Sequence, residues 1–454
     1  MKRNRFCFLV SKFRVQAWFV ASAKIPAKAC SLNFLRFSDL EPSRVKLSSA
    51  IMIPIADAIQ IVKDQTSALQ PERVELANAL GRYLVEDIIA DTDLPPFDRS
   101  QMDGYAVRAA DIATTPTKLR IVGESAAGRG WHNELKPGEV VRIMTGAPVP
   151  AGADSVQQIE FTRELNGGSE VEILKPVTLG RSIVRRGSEI TTGETVLRAG
   201  EGINAGAVAV LASFGYAKVN VGRRPRVAIL ATGSELVPVD QTPGKDQIRD
   251  SNNFSIAAYA ALAGATIERL PLAGDDIRQL KRQIAGAAET NHIVVTSGGV
   301  SVGRYDFTKT VLKELGAELF FERVALRPGK PTVFARLPNG TLVFGLPGNP
   351  VSVSVTFNLF ARVAILAMQG ALETELESGS AILGKSVKPA KDRDSYLPAR
   401  LSTNENAQLI AEPLKWGGSS DFVGFVGATA LIIVPQATEI LEAGTKVQVV
   451  YLPV

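Results

Sequence analysis

Between residues 223 and 370 the chain repeats one unit: a short apolar run, a polar loop, then a segment with helical spacing. RVAILATG leads to SNNFSIAAYAALAG, TIERLPLAGD to DIRQLKRQIAGAAE, HIVVTSGG to FTKTVLKELG, and TLVFGLPG to VSVSVTFNLFARVAILAMQ. Strands that alternate with helices fold into a mostly parallel sheet, an α/β domain. That arrangement sets the loops ATGSEL, TSGGVSVG and GLPGNP at the carboxyl ends of their strands, where open α/β sheets bind ligands.

The flanking sequence obeys other rules. From Met52 to about Leu84 the spacing is helical with a break at Pro71, and from Asp91 to about Val221 short β-like runs alternate with Gly and Pro. From about Ala371 the pattern returns to short strands that end in TKVQVVYLPV. The expected fold is multi-domain α+β. A β-rich N-terminal region of two subdomains spans 52–222, the α/β domain 223–370, and a small C-terminal β-barrel-like domain 371–454. Residues 1–51 read as an extension outside this fold: a flexible tail, a targeting segment, or sequence upstream of a true start at Met52.

Composition narrows the chemistry. Residues 1–51 carry ten Lys or Arg against Asp39 and Glu41, so the chain's net +5 becomes −3 from Met52 onward. The body has no electrostatic case for nucleic acid. No apolar run approaches the ~20 residues of a membrane span, so no membrane is expected. Both cysteines, Cys7 and Cys30, precede Met52, and the only histidines are His132 and His292. Thiolate nucleophiles, Cys-ligated zinc and iron–sulfur clusters are excluded from the body, which leaves carboxylates, cations, hydroxyls and backbone amides.

The loop from Ser297 through Gly298, Gly299, Ser301 and Gly303 lies between a strand and a helix, where backbone N–H groups can face an anion. It matches neither the P-loop nor the dinucleotide pattern. RPGKP adds the cations Arg327 and Lys330. Glu235, Asp250, Asp275 and Asp306 stand at element ends on the same side, with Asp250 also the strongest helix-cap candidate. Acids around an anion pocket suit Mg²⁺. Three further polar islands, LPPFDRSQMDGYAVR, RIMTGAPVPAGAD and VRRGSEI, would each pass alone as ordinary turns.

In order and spacing, FDRSQMDGYAVR, RIMTGAPVPAGAD, RRGSEI, ATGSEL, SGGVSVGRYDF, RPGKP and GLPGNPVS closely resemble the molybdopterin molybdenumtransferase (molybdenum insertase) family, which includes the C-terminal part of gephyrin. The resemblance runs from about Met52 to the C-terminus. It implies a cytoplasmic homodimer that inserts molybdate into adenylylated molybdopterin and releases AMP, assisted by Mg²⁺ and in some settings Zn²⁺. The molybdopterin adenylyltransferase and recipient molybdoenzymes are the implied partners. Family acids fall on Asp103, Glu189, Glu235, Asp275 and Asp306, with Glu235 and Asp306 as first metal ligands. A functional hydroxyl falls on Thr145, cations on Arg323, Arg327 and Lys330, and pocket-shaping prolines on Pro347 and Pro350. On this reading Asp103 and Glu189 arrive from the partner subunit, and molybdate sits near Arg323 or Arg327 and Thr145. The α/β domain alone also resembles molybdopterin adenylyltransferases and a class of nucleotide pyrophosphatases, and a non-catalytic scaffold is the remaining alternative.

Overall fold

The structure, a computed structural model, describes residues 52–300, 307–415, 417–436 and 439–453. Of the expected site residues, Ser301, Gly303 and Asp306 lie outside them, as does the extension 1–51.

The α/β domain holds strands β1 (Arg226–Ala231), β2 (Thr266–Arg269), β3 (Ile293–Ser297), β4 (Glu318–Phe321), β5 (Val333–Arg336) and β6 (Leu342–Leu346). Their order across the sheet is β2-β1-β3-β6-β5-β4. The first four are parallel; β5 pairs antiparallel with β6, and β4 antiparallel with β5, so β5 alone runs against the others. Helices α1 (Asn252–Leu262), α2 (Ile277–Thr290), α3 (Phe307–Glu314) and α4 (Pro350–Met368) cover it. Alternation along β1 sorts the two faces. Val227 and Ile229 pack with Ile256 of α1 and Val353 of α4, whereas Ala228 and Leu230 pack with Leu280 of α2 and Val311 of α3. Each large side chain buried this way contributes about 1.5–3 kcal/mol against the cost of ordering it.

The chain steps from β1 outward to β2, then back across to β3. A crevice therefore opens between the carboxyl ends of β1 and β3, the switch point of the sheet.

Two expectations need correction. The helical pattern after Met52 yields a helix only over Ile55–Asp64. Beyond Pro71, Glu72–Glu75 forms a strand paired with Lys218–Val221, so tertiary pairing overrides local spacing. Ile55, Ala58 and Val62 of that first helix pack into the α/β core rather than with the N-terminal region. The second correction concerns apolar length: α4 spans 19 residues with mean hydropathy 1.8, enough by length and composition to cross a membrane. Asn358 and Arg362 hide that run by eye, and 89% of it is buried inside the protein, as befits a core helix. Residues 357–361 form a single π turn within it.

Residues 72–89 and 195–221 share one small core around Leu84, Ile88, Leu211 and Val221. Between them in sequence lies a six-stranded mixed sheet whose two faces bury Tyr105 and Val140 on one side, Val141 and Val156 on the other. At the C-terminus, strands Ser378–Leu383, Asp394–Thr403, Leu409–Pro413, Ala430–Val434 and Lys446–Tyr451 pair in a closed ring, which removes their free edges.

Candidate active site

The switch-point crevice is a cleft with two lobes. One, of about 490 Å³, is lined by Glu235, Asp275, Gly298, Gly299, Pro331 and Pro347. The other, of about 670 Å³, includes Ser297, Asp250 and Pro350 with the apolar side chains Leu236, Ile248 and Phe422. Both share Thr232, Glu235, Gly348 and Asn349, so the three strand-end loops meet on one floor.

Local chemistry builds that floor. Thr232 N–H donates to Ser297 O at 2.9 Å, which ties the end of β1 to the end of β3. Gly298 adopts φ +88°, and a Cβ there would lie 2.4 Å from Thr232 O. Gly299, at φ +65°, would bring a Cβ to 3.1 Å from Thr308 Oγ1. Only glycine makes this turn without strain. Its donor role differs from expectation at one position: Gly298 N–H is already bonded to Leu346 O at 3.1 Å. Gly298 supplies room, while other groups supply polarity. Beneath the turn the hydroxyls of Ser297 and Thr308 are buried and have no hydrogen-bond partner. Unpaired buried hydroxyls are costly and concentrate where a ligand is handled.

The acids divide into kinds. Glu235 is exposed, and its carboxylate lies over Gly233. Asp275 is also exposed, with its N–H donating to Ser234 Oγ at 3.2 Å. Asp250 is buried and accepts from Asn253 N–H at 3.1 Å, so it caps α1. Ser251 makes no side-chain cap bond. Burial pushes the Asp250 carboxyl up, against the opposing pull of the Asn253 hydrogen bonds. Among the described residues no three His, Cys, Asp or Glu form a metal-binding group. Glu235 and Asp275 on one wall nevertheless fit Mg²⁺, which takes one or two carboxylates and completes its shell with phosphate oxygens and water. This all-oxygen donor set is a poor match for Zn²⁺.

Of the expected cations, Arg323, Arg327 and Lys330 are absent from the lining of both lobes. Arg327 faces a separate cavity of about 360 Å³ against the C-terminal barrel, because Leu326–Arg327 pairs with Asp394 and Ser395. Lys330 precedes Pro331, which does line the cleft.

The three polar islands of the N-terminal region converge instead of forming independent turns. Asp98 accepts from Arg185 Nη1 at 2.5 Å and Arg186 N–H at 2.8 Å, and Arg99 pairs with Glu189 at 3.2 Å. Asp103 Oδ1 accepts from both the N–H (2.7 Å) and the hydroxyl (2.8 Å) of Thr145. These bonds hold the Asp103 carboxyl below the usual carboxylate range. Asp103, Thr145 and Glu189 are all exposed, and none lines the α/β cleft of the same chain. Tyr105, from the same motif, is a core residue whose hydroxyl donates to Glu164.

Sequence reasoning missed Asn349, the excursion 236–249 and Phe422. Asn349 was within the quoted GLPGNP. The excursion is flagged only by its Pro and Gly, and Phe422 by nothing local.

Comparison with known proteins gives one consistent result. Residues 53–215 match the family described as MoeA N-terminal region (domain I and II), 228–367 the probable molybdopterin binding domain, and 380–452 the MoeA C-terminal region (domain IV). A Bacillus subtilis molybdopterin molybdenumtransferase is 36% identical over 406 residues, covering 88% of this chain and 94% of the relative. A Staphylococcus aureus protein of the same name is 35% identical over 88% and 95%. Among solved structures, two of the molybdopterin biosynthesis MoeA protein from Pyrococcus horikoshii align with TM-scores of 0.71 and 0.76. Their identities are 32% and 28%, over 88% of this chain and 99% and 100% of theirs.

Proposed function

The chain belongs to the molybdopterin molybdenumtransferase family, a transferase of molybdenum cofactor biosynthesis, and from that premise we propose how its cleft performs the insertion. Adenylylated molybdopterin lies across the switch point with its phosphoanhydride over the Gly298–Gly299 turn. The two dithiolene sulfurs replace one molybdate oxygen, which leaves as water after taking up two protons, and a water or molybdate oxygen attacks the phosphoanhydride, which breaks to release AMP. The observation that carries this reading is the two-lobed cleft, with carboxylates on one wall, a glycine turn on its floor and the buried, unpartnered Ser297 hydroxyl beside that turn.

The substrate supplies the thiolates that residues 52–454 lack, so the protein's work is binding, orientation and charge. The Ser297 hydroxyl donates to a phosphate oxygen, and Lys330, next to the cleft-lining Pro331, offsets the phosphate charge. Glu235 and Asp275, which line one wall, would hold Mg²⁺, and Asp306, outside the described residues, is the further ligand that the family resemblance assigns. When bound, that ion stabilises negative charge on the phosphoryl oxygens and the departing AMP. Molybdate is an oxyanion that needs donors, which Arg323 and the Thr145 hydroxyl of a second subunit would supply, whereas Arg327 faces the separate cavity against the C-terminal barrel. Asp103 and Glu189 belong to the complete site only if a second subunit delivers them, so the working unit is a cytoplasmic homodimer. It takes its substrate from the adenylyltransferase and passes its product to molybdoenzymes.

The test is incubation of the protein with adenylylated molybdopterin, Mg²⁺ and molybdate, following AMP release and activation of a cofactor-free molybdoenzyme. Molybdate-dependent AMP release with activation is expected. Release without activation would mark a pyrophosphatase, and binding without release a scaffold.

A further inference from the structure

The larger lobe has an apolar character that phosphate and molybdate chemistry does not use. One wall is the excursion 236–249, pinned at its base where Leu236–Val237 pairs in parallel with Ile248–Arg249. Leu236, Pro243 and Ile248 face the lobe from there. Phe422, from a short helix of the C-terminal domain, lines the same lobe. Phe422 is 50% exposed and Ile248 58% exposed, so two large apolar side chains open to solvent line one cavity. Isolated exposed hydrophobics need no explanation, but a pair lining one cavity beside polar groups marks a place for a flat apolar ligand.

The Phe422 wall is held firmly. Val351 N–H, at the start of α4, donates to Ser419 O at 3.0 Å, and Asn349 Nδ2 donates to Ser419 Oγ at 2.7 Å. Asp421 accepts from Gly417 N–H at 2.7 Å and Gly424 N–H at 3.0 Å, which locks the turn on either side of Phe422. Phe425, one helical turn on, packs against the α/β core. The ring of Phe422 is thus presented at the cleft on a braced support.

We infer that Phe422 is a stacking platform for a flat nitrogen heterocycle of the substrate, clamped against the Leu236–Ile248 excursion. The C-terminal domain is then a wall of the binding site rather than an appendage. This rests on the proposed binding of adenylylated molybdopterin, whose two ring systems, adenine and pterin, share the required chemistry.

The experiment measures equilibrium binding of AMP and, separately, of metal-free molybdopterin to the full chain and to Phe422→Ala, Phe422→Trp and Val426→Ser. Val426 is 84% exposed and does not line the lobe, so it controls for loss of surface apolar area. Stacking on an aromatic predicts a roughly five- to hundredfold weaker Kd for Phe422→Ala, with near recovery in Phe422→Trp and no change in Val426→Ser. A loss confined to AMP places adenine on the ring, and a loss confined to molybdopterin places the pterin there. Unchanged affinity for both in a folded Phe422→Ala would overturn the inference and leave the cleft assignment standing. If the unaltered protein bound neither ligand, the substrate reading itself would fail.

Discussion

Asp103 shows how one residue's chemistry can be separated into parts. Its carboxyl is lowered first by the Thr145 N–H and then by the Thr145 hydroxyl. A carboxylate whose folded value is lowered adds stability at any pH above its unfolded value of about 3.9. That stability is lost as pH falls through the folded value. Thr145→Val removes the hydroxyl and leaves the larger backbone contribution, so the Asp103 titration, followed by carbon NMR, should move up only part of the way to the unfolded value. A full return would mean that the backbone bond does not form in solution. Gly298 makes a second case. Its αL backbone and the 2.4 Å approach of a Cβ to Thr232 O should make Gly298→Ala destabilising. About 1–3 kcal/mol is expected in chemical denaturation. At this scale the sequence is informative about cleft lining at the strand ends: Glu235, Asp275, Ser297, Gly298, Gly299, Pro347 and Pro350 all line the cleft. It is uninformative where a wall comes from far along the chain, as with Phe422, or where strand pairing turns a side chain aside, as with Arg327.

Among elements, α2 links a local signal to the site. Asp276 accepts from Arg278 N–H at 2.8 Å and Gln279 N–H at 3.3 Å, capping the helix that follows β2. The cap fixes the backbone beside Asp275, whose own N–H is tied to Ser234. Asp276→Ala should cost about 1 kcal/mol in thermal unfolding, and Asp276→Asn much less, because the amide oxygen can still accept both bonds. Equal losses from the two variants would assign the effect to charge at the helix terminus instead. Four strands and four helices of 223–370 are legible because short apolar runs and helical spacing impose different periods, whereas the four-residue strands β4 and β5 carry no such signal and form by antiparallel pairing. The segment after Asp64 is not legible either, since Glu72–Glu75 becomes a strand only by pairing with Lys218–Val221.

On the scale of the whole molecule, the proposed site is divided. Glu235 and Asp275 line the α/β cleft, whereas the Asp103–Thr145 pair and Glu189 lie exposed on the N-terminal region, off that cleft. If one subunit of a dimer supplies the first set and its partner the second, each functional site draws on both chains. Two inactive variants, Glu235→Gln and Asp103→Asn, should then rescue each other when mixed and allowed to exchange subunits. In a heterodimer one site receives both substitutions and the other receives neither. With random exchange half the dimers are mixed and each has one intact site, so turnover should recover to about a quarter of the unaltered level. Failure of the mixture to recover, with exchange verified by mass, would mean that each chain completes its own site, and the N-terminal acids would then need a role away from the reaction.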